Sequence, residues 1–191
     1  MLSCFGALLL MKMIDKKTFL IQLFNRFGDF NVTALYMKNN RTYCLFKRWF
    51  LFSDIMSSKV VMEAINNRTI LDVEVVLDLD DKHRYADLIK NLNDDSLNYY
   101  AFSSGNKSYH IHLFFPELQQ FSSEDRKLIR YQIIKKYGCD FSKASERCMI
   151  TIEFSAHFRT NRQKQLLLFK KGFNRLPLNI MKDIKLSELK R

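Results

Sequence analysis

The segment from Ile70 to Asp80 constrains this chain more than any other. Leu71, Val73, Val75, Leu77 and Leu79 alternate with Asp72, Glu74, Val76, Asp78 and Asp80. A period of two puts the first set on one face of a β-strand and the second set on the other. The first face is wholly apolar and has to be buried. The second is acidic and ends in Asp78-Leu79-Asp80. A fold built around such a strand needs a sheet covered on one side, with acidic chemistry collected at the end of the other.

The rest of the chain supplies mixed elements around that strand. Ile14 to Phe27 reads as a helix with Phe19, Leu20, Leu23, Phe24 and Phe27 on one face and Gly28 as its stop. Tyr43 to Phe52 is aromatic and basic and fits a strand or a helix. Ser57 to Asn67 reads as a short helix, and Lys82 to Leu92 is helical. Asn98 to Phe102 and Ser108 to Phe115 are strands joined by turn residues 103–107 and closed by Pro116, a hairpin. Ser122 to Tyr137 is a helix with Ser122 as N-cap, Asp125 completing a capping box and Gly138 as its stop. Strands follow at Cys148 to Phe154 and Leu166 to Lys170, then a basic helix from Asn179 to Arg191. Strands, helices and a hairpin in this order predict an α+β fold on a mostly antiparallel sheet flanked by helices.

Composition narrows the partners. Of 191 residues, 47% are hydrophobic and 27% charged, which excludes general disorder; 5 Gly and 2 Pro exclude collagen-like and low-complexity chains. No apolar run reaches the roughly 18 residues a membrane span requires, so no membrane partner is expected. Lys and Arg number 31 against 20 Asp and Glu, a formal charge of +11 that favours a polyanion such as nucleic acid or nucleotide phosphates. Cys4, Cys44, Cys139 and Cys148 form no CxxC pair, which suits a reducing, cytoplasmic setting. Cys139, Cys148 and His157 have a spacing compatible with zinc, but buried small hydrophobes are the plainer reading and zinc is not expected. Met1 to Leu10 is apolar without a basic flank or cleavage site, so it does not read as a signal peptide; Met11 and Met13 are alternative starts.

Three motifs carry chemistry. Asp78 and Asp80 share a strand face about 7 Å apart. Like charges held that close suit a divalent cation with hard oxygen ligands, and two such ions can activate an attacking oxygen and stabilise a leaving phosphate. The competing reading is a solvated strand end. Next, Ser103-Ser104-Gly105-Asn106-Lys107-Ser108 is a tight turn whose N–H groups, hydroxyls and ammonium suit phosphates. His110 and His112 follow on one face, with Tyr109, Ile111, Leu113 and Phe115 on the other. Finally, Met149-Ile150-Thr151-Ile152-Glu153 places Thr151 and Glu153 on one face, and a basic stretch follows: Arg159, Arg162, Lys164, Lys170, Lys171 and Arg175.

The order of these motifs resembles the archaeo-eukaryotic primase superfamily, the family of the primase small subunit. Its apolar strand with DxD is matched by Val75-Val76-Leu77-Asp78-Leu79-Asp80. Its S-G-x-x-G-x-H motif is matched by Ser104-Gly105-Asn106-Lys107-Ser108-Tyr109-His110. Its apolar strand ending in an acid is best matched by Glu153, with Glu146 as a rival. The resemblance covers residues 70–172. It implies a palm-like sheet of the RNA-recognition-motif type and template-directed nucleotidyl transfer with Mg²⁺ or Mn²⁺. It implies that Asp78, Asp80 and Glu153 bind metal and, with His110, form the catalytic set. Ser104, Asn106, Lys107 and His110 would hold the incoming NTP or dNTP. Arg159, Arg162, Lys164, Lys170 and Lys171 would track a single-stranded DNA template and primer, and a primase large subunit or helicase is a possible partner. Residues 1–69 would then pack on a catalytic palm at 70–178, with 179–191 as a basic terminal helix, all in one compact domain. The chain departs from the pattern in having Ser108 for the usual glycine, Glu for the commoner Asp as third acid, and no zinc module.

Two other readings stand beside this one. His110 and His112 also fit the metal-binding histidine pair of rolling-circle nucleases, with Tyr131 on the following helix as nucleophile. That reading leaves the DxD strand and the SGNK turn unused. A non-catalytic palm-like subunit that binds nucleic acid would treat the acids as incidental.

Overall fold

A computed structural model describes residues 15–38, 41–44, 49–57, 65–157 and 160–177. The expectations for 1–10, for Arg159 and for the helix at 179–191 lie outside the described residues. The clear strand is β5, Glu74–Leu79, the edge of a four-stranded antiparallel sheet in the order β5-β7-β6-β9. Its partners are β6 (Tyr99–Ser103), β7 (Tyr109–Phe114) and β9 (Leu166–Lys170). Along β5 and β7, Glu74 pairs with Phe114, Val76 with His112 and Asp78 with His110. Residues directly opposite in an antiparallel pair point to the same face. Glu74, Val76, Asp78, His110, His112 and Phe114 therefore share one face.

The other face is the apolar one. Val75, Leu77, Leu79, Ile111 and Leu113 pack there against α3 (Tyr85–Asp94) and α4 (Ser123–Tyr137), chiefly through Leu88, Leu92, Ile129, Ile133 and Ile134. α4 forms where local chemistry favours it. The Ser122 hydroxyl accepts from the Asp125 N–H at 3.2 Å, and Gly138 closes the helix at φ 63°, a left-handed position suited to glycine.

The face that carries Asp78 and His110 looks toward a second antiparallel sheet. Its path is β2-β1-β4-β8, with β3 also on β1: β1 Asn31–Lys38, β2 Arg41–Cys44, β3 Phe50–Leu51, β4 Ile65–Thr69 and β8 Met149–Thr151. α1 (Lys16–Phe27), capped by the Asp15 carboxylate on the Thr18 N–H at 2.7 Å, and α2 (Phe52–Ser57) bury Leu20, Leu23, Phe52 and Ile55 with Val32, Ile65 and Phe114. Two sequence expectations are corrected here. Of the helix expected at 57–67, Ser57 ends α2 and residues 65–67 lie in the strand β4, while 58–64 lie outside the described residues. The strand at 148–154 is three residues long and joins the sheet of the N-terminal segment, pairing with β4.

Candidate active site

Asp78 lies near the end of β5 with only 14% of its side chain exposed, and Asp80 lies just past the strand, 60% exposed. One Asp78 oxygen, Oδ1, is buried without a hydrogen-bond partner, and His110 Nε2 stands 3.6 Å from it. The other, Oδ2, has the Lys143 ammonium at 3.6 Å. Burial pushes the Asp78 carboxyl above its usual range; Lys143 opposes this, and the neighbouring Asp80 and Asp140 charges add to it. His110 Nδ1 is likewise buried and unpaired. Burial holds His110 well below the usual histidine value, reinforced by Lys164, so the ring is neutral near pH 7. An orphaned carboxylate oxygen, with an excess of acid around it, is a donor set that a hard divalent cation satisfies.

Sequence reasoning missed Asp140. The segment after α4 runs back along the free edge of β5, where the Asp140 N–H donates to the Asp78 carbonyl at 3.0 Å. Asp140 caps the 3₁₀ turn Phe141–Ala144 by accepting from the Ser142 N–H at 2.9 Å. That turn carries Lys143 to Asp78. The only signal in the sequence was an acid just past a helix stop, which is too common to single out.

The structure puts Glu153 in different company. It is fully buried and accepts from Arg68 Nε at 3.1 Å and Nη2 at 2.9 Å, with Lys164 Nζ at 3.3 Å. Arg68 also donates to both Glu74 oxygens, at 2.7 and 2.8 Å, and His112 Nδ1 lies 2.6 Å from Glu74. Burial raises the Glu153 carboxyl, but Arg68 and Lys164 outweigh it and bring the pKa down to about 2. The ligand atoms of Glu74, His112 and Glu153 lie within 4.8 Å of one another, a spacing that admits a metal, and no other such group occurs among the described residues. Two cations, Arg68 and Lys164, already balance its two carboxylates. Glu146, the rival third acid, pairs instead with Arg126 and with Arg130 at 3.2 Å.

The turn residues surround a cavity of about 190 Å³ together with His110, Lys143, Thr151 and His157. Ser104 is buried, and its oxygen accepts from the N–H groups of Asn106 at 3.3 Å and Ser108 at 3.2 Å, so it organises the turn. Gly105 has φ +76°, and a Cβ there would run into the Arg162 carbonyl oxygen. Asn106 and Lys107 are exposed, and Lys107 reaches Asp80 at 3.8 Å. Of the basic residues, Arg162, Lys170 and Lys171 are exposed. Lys164 is fully buried, its ammonium donating to the Thr151 carbonyl at 2.9 Å, so it is a core ion and cannot track a phosphate backbone.

The nuclease arrangement does not form. Tyr131 is 40% exposed and stacked on Phe141 on the outer side of α4, and α4 covers the sheet face opposite the histidines. His112 has both ring nitrogens engaged, with Glu74 and with Lys164. Cys139 lies in the apolar core against the Tyr137 carbonyl. No helix among the described residues is long and apolar enough to cross a membrane.

No family model and no curated sequence matches this chain. Solved structures do. The catalytic domain of primase RepB′, in complex with initiator DNA, aligns with a TM-score of 0.63 at 10% identity over 93% of this chain and 100% of that one. The archaeo-eukaryotic primase domain of the cyanophage S-2L primase-polymerase aligns at 0.57 with 12% identity, over 88% and 97%. Primase RepB′ aligns at 0.57 with 10% identity over 88% of this chain and 63% of that longer one. The chain shares the fold of these primase domains.

Proposed function

We propose that the chain is a primase-polymerase catalytic core that adds nucleotides to a strand paired with a single-stranded template. The observation that carries this reading is the Asp78 carboxylate, half-enclosed and with an unsatisfied oxygen, facing His110 beside the cavity that the SGNKS turn walls. In the reaction a 3′-hydroxyl oxygen bonds to the α-phosphorus of an NTP or dNTP as the bond to the bridging oxygen breaks and pyrophosphate leaves. The barrier to such a transfer falls mainly through positioning and charge neutralisation.

Asp78, Asp80 and Asp140 would hold Mg²⁺ or Mn²⁺, with Asp140 in place of Glu153 as the third acid. When bound, such ions favour the attacking oxygen and neutralise the leaving phosphates. Neutral His110 donates a hydrogen bond to a phosphate oxygen. Lys107 and Lys143, which line the same cavity, approach the β- and γ-phosphates, and Lys143 leaves Asp78 as it does so. The Ser104 hydroxyl, already accepting two N–H groups, keeps its proton for a phosphate. Arg162, Lys170 and Lys171 contact template or primer phosphates, with an affinity that falls as salt rises.

The test is incorporation on a single-stranded template, with and without primer, using rNTPs or dNTPs with Mg²⁺ or Mn²⁺. Metal-dependent product that vanishes in Asp78→Ala/Asp80→Ala supports the reading. Product that persists in the double variant, or DNA binding without product under every condition, sinks it.

A further inference from the structure

A second cavity, of about 420 Å³, opens on the same sheet face as His110. His112 and Phe114, two and four residues along β7 from His110, form part of its floor with Tyr100 of β6. Strand rise puts those floor positions about 7 and 14 Å from His110. Phe19 and Phe27 of α1 line it too, together with Phe169 and Phe173.

Aromatic rings line it, four of them in two mutually stacked pairs. Phe27 and Phe114 lie nearly parallel (4°) with centroids 5.3 Å apart, and Tyr100 and Phe169 are parallel within 8° at 6.2 Å. Its mouth is basic. Arg26 holds its guanidinium 4.2 Å from the centre of the Phe173 ring, and Lys171 lies beside it. Neither Arg26 nor Lys171 has a carboxylate partner among the described residues. Phe173 itself is 41% exposed.

We propose that this cavity takes one unpaired base of the single-stranded nucleic acid that passes the active site, with Arg26 and Lys171 on the adjoining phosphates. The inference rests on the polymerase reading and adds a specific subsite to it. A base is planar and aromatic, and its phosphate is anionic; the cavity offers an aromatic lining with two unneutralised cations among its residues. Aromatic stacking of this kind tolerates any base, because every base has a π-face. The site therefore grips and registers the strand without reading its sequence.

The experiment uses the full chain and a primed template whose register is set by the primer 3′ end. Single 2-aminopurine substitutions are walked along the unpaired template. We expect one position to be quenched on binding, and the quench to disappear in Phe169→Ser/Phe173→Ser, checked for folding by circular dichroism. An abasic residue at that position weakens binding to the unaltered protein by roughly five- to 150-fold. That measurement alters only the DNA, so it stands even if the protein variant misfolds. Incorporation with no quenched position, or an abasic residue without effect at every position, overturns the base site and leaves the polymerase reading intact. Competition of the quench by free dAMP, with no abasic penalty, would assign the cavity to a mononucleotide and likewise overturn the proposal. Absence of both DNA binding and incorporation would strike the polymerase reading itself.

Discussion

The proposed function gives Asp140 the role that the sequence assigned to Glu153. Asp140 sits on the free edge of β5 beside Asp78, and Glu153 sits among buried cations, so under that proposal charge-removing substitutions should have opposite signatures. In Asp140→Asn the amide still caps the 3₁₀ turn through the Ser142 N–H, because Asn and Asp cap about equally well. Incorporation should fall by about 100-fold or more while the urea midpoint stays within the error of the unaltered protein. Glu153→Gln should do the reverse. It leaves Arg68 and Lys164 facing one carboxylate fewer in a fully buried site, and breaking such a pairing costs about 3–5 kcal/mol. Urea unfolding reads that loss directly, and an unchanged midpoint would show that the cluster contributes nothing. Gly105→Ala makes a third case. The positive φ and the Arg162 carbonyl both oppose a side chain, so the turn has to move; nucleotide KM should rise, with a stability loss of about 1–2 kcal/mol.

Elements were legible wherever their causes are local. The helix at α4 announces itself through Ser122 and Gly138, which act as the sequence suggests, while the Asp125 carboxylate accepts from the Ser122 hydroxyl at 2.7 Å. The β6–β7 hairpin and the alternation of β5 were equally plain, because burial of one face writes itself into a period of two. Where pairing is non-local the sequence fell silent. β4 reads Ile-Asn-Asn-Arg-Thr, poor in β-formers, and becomes a strand because β1 and β8 flank it and because Arg68 finds Glu74 and Glu153. Alternation assigns Glu153 to a face but carries no sign that β8 belongs to the other sheet. Asp140 reaches the site through one backbone hydrogen bond, which leaves no periodic trace. Arg130 shows how firmly α4 is tied to β5. It is fully buried and donates to the carbonyls of Glu74, Leu71 and Asp72 at 2.9, 2.8 and 3.0 Å. Arg130→Met keeps the stem but removes the three hydrogen bonds to those carbonyls and leaves Arg126 as the one cation paired with Glu146, so we expect a loss of about 3 kcal/mol in urea unfolding.

At the scale of the molecule, the Arg68 cluster joins the two sheets, with Arg68 from one and Glu74 and His112 from the other. Its ionisation therefore governs how the two halves of the site hold together as pH changes. Glu153, brought down to about 2 from an ordinary 4.5, stays charged in the folded state while the unfolded chain takes up a proton below 4.5. Stability from this group is fully present above about pH 4.5 and is lost as pH falls toward 2. Glu74 acts the same way: burial raises it, Arg68 overrides that, and the net is well below its usual value. The histidines begin the loss earlier. Burial depresses both His110 and His112 below the ordinary 6.5, so the unfolded chain binds protons there that the folded state excludes. Their contribution is complete above pH 6.5 and declines below it. Asp78, raised by burial, works in the opposite direction, with one group against four. Urea midpoints measured from pH 7.5 to 3.5 should thus fall in two stages, one starting near 6.5 and one near 4.5. Glu153→Gln should flatten the lower stage and leave the upper one, because the histidines remain buried. A midpoint that holds constant from pH 7.5 to 5 would mean that the histidines are not buried as neutral rings. The closed packing of the two sheets around them would then be wrong for the protein in solution.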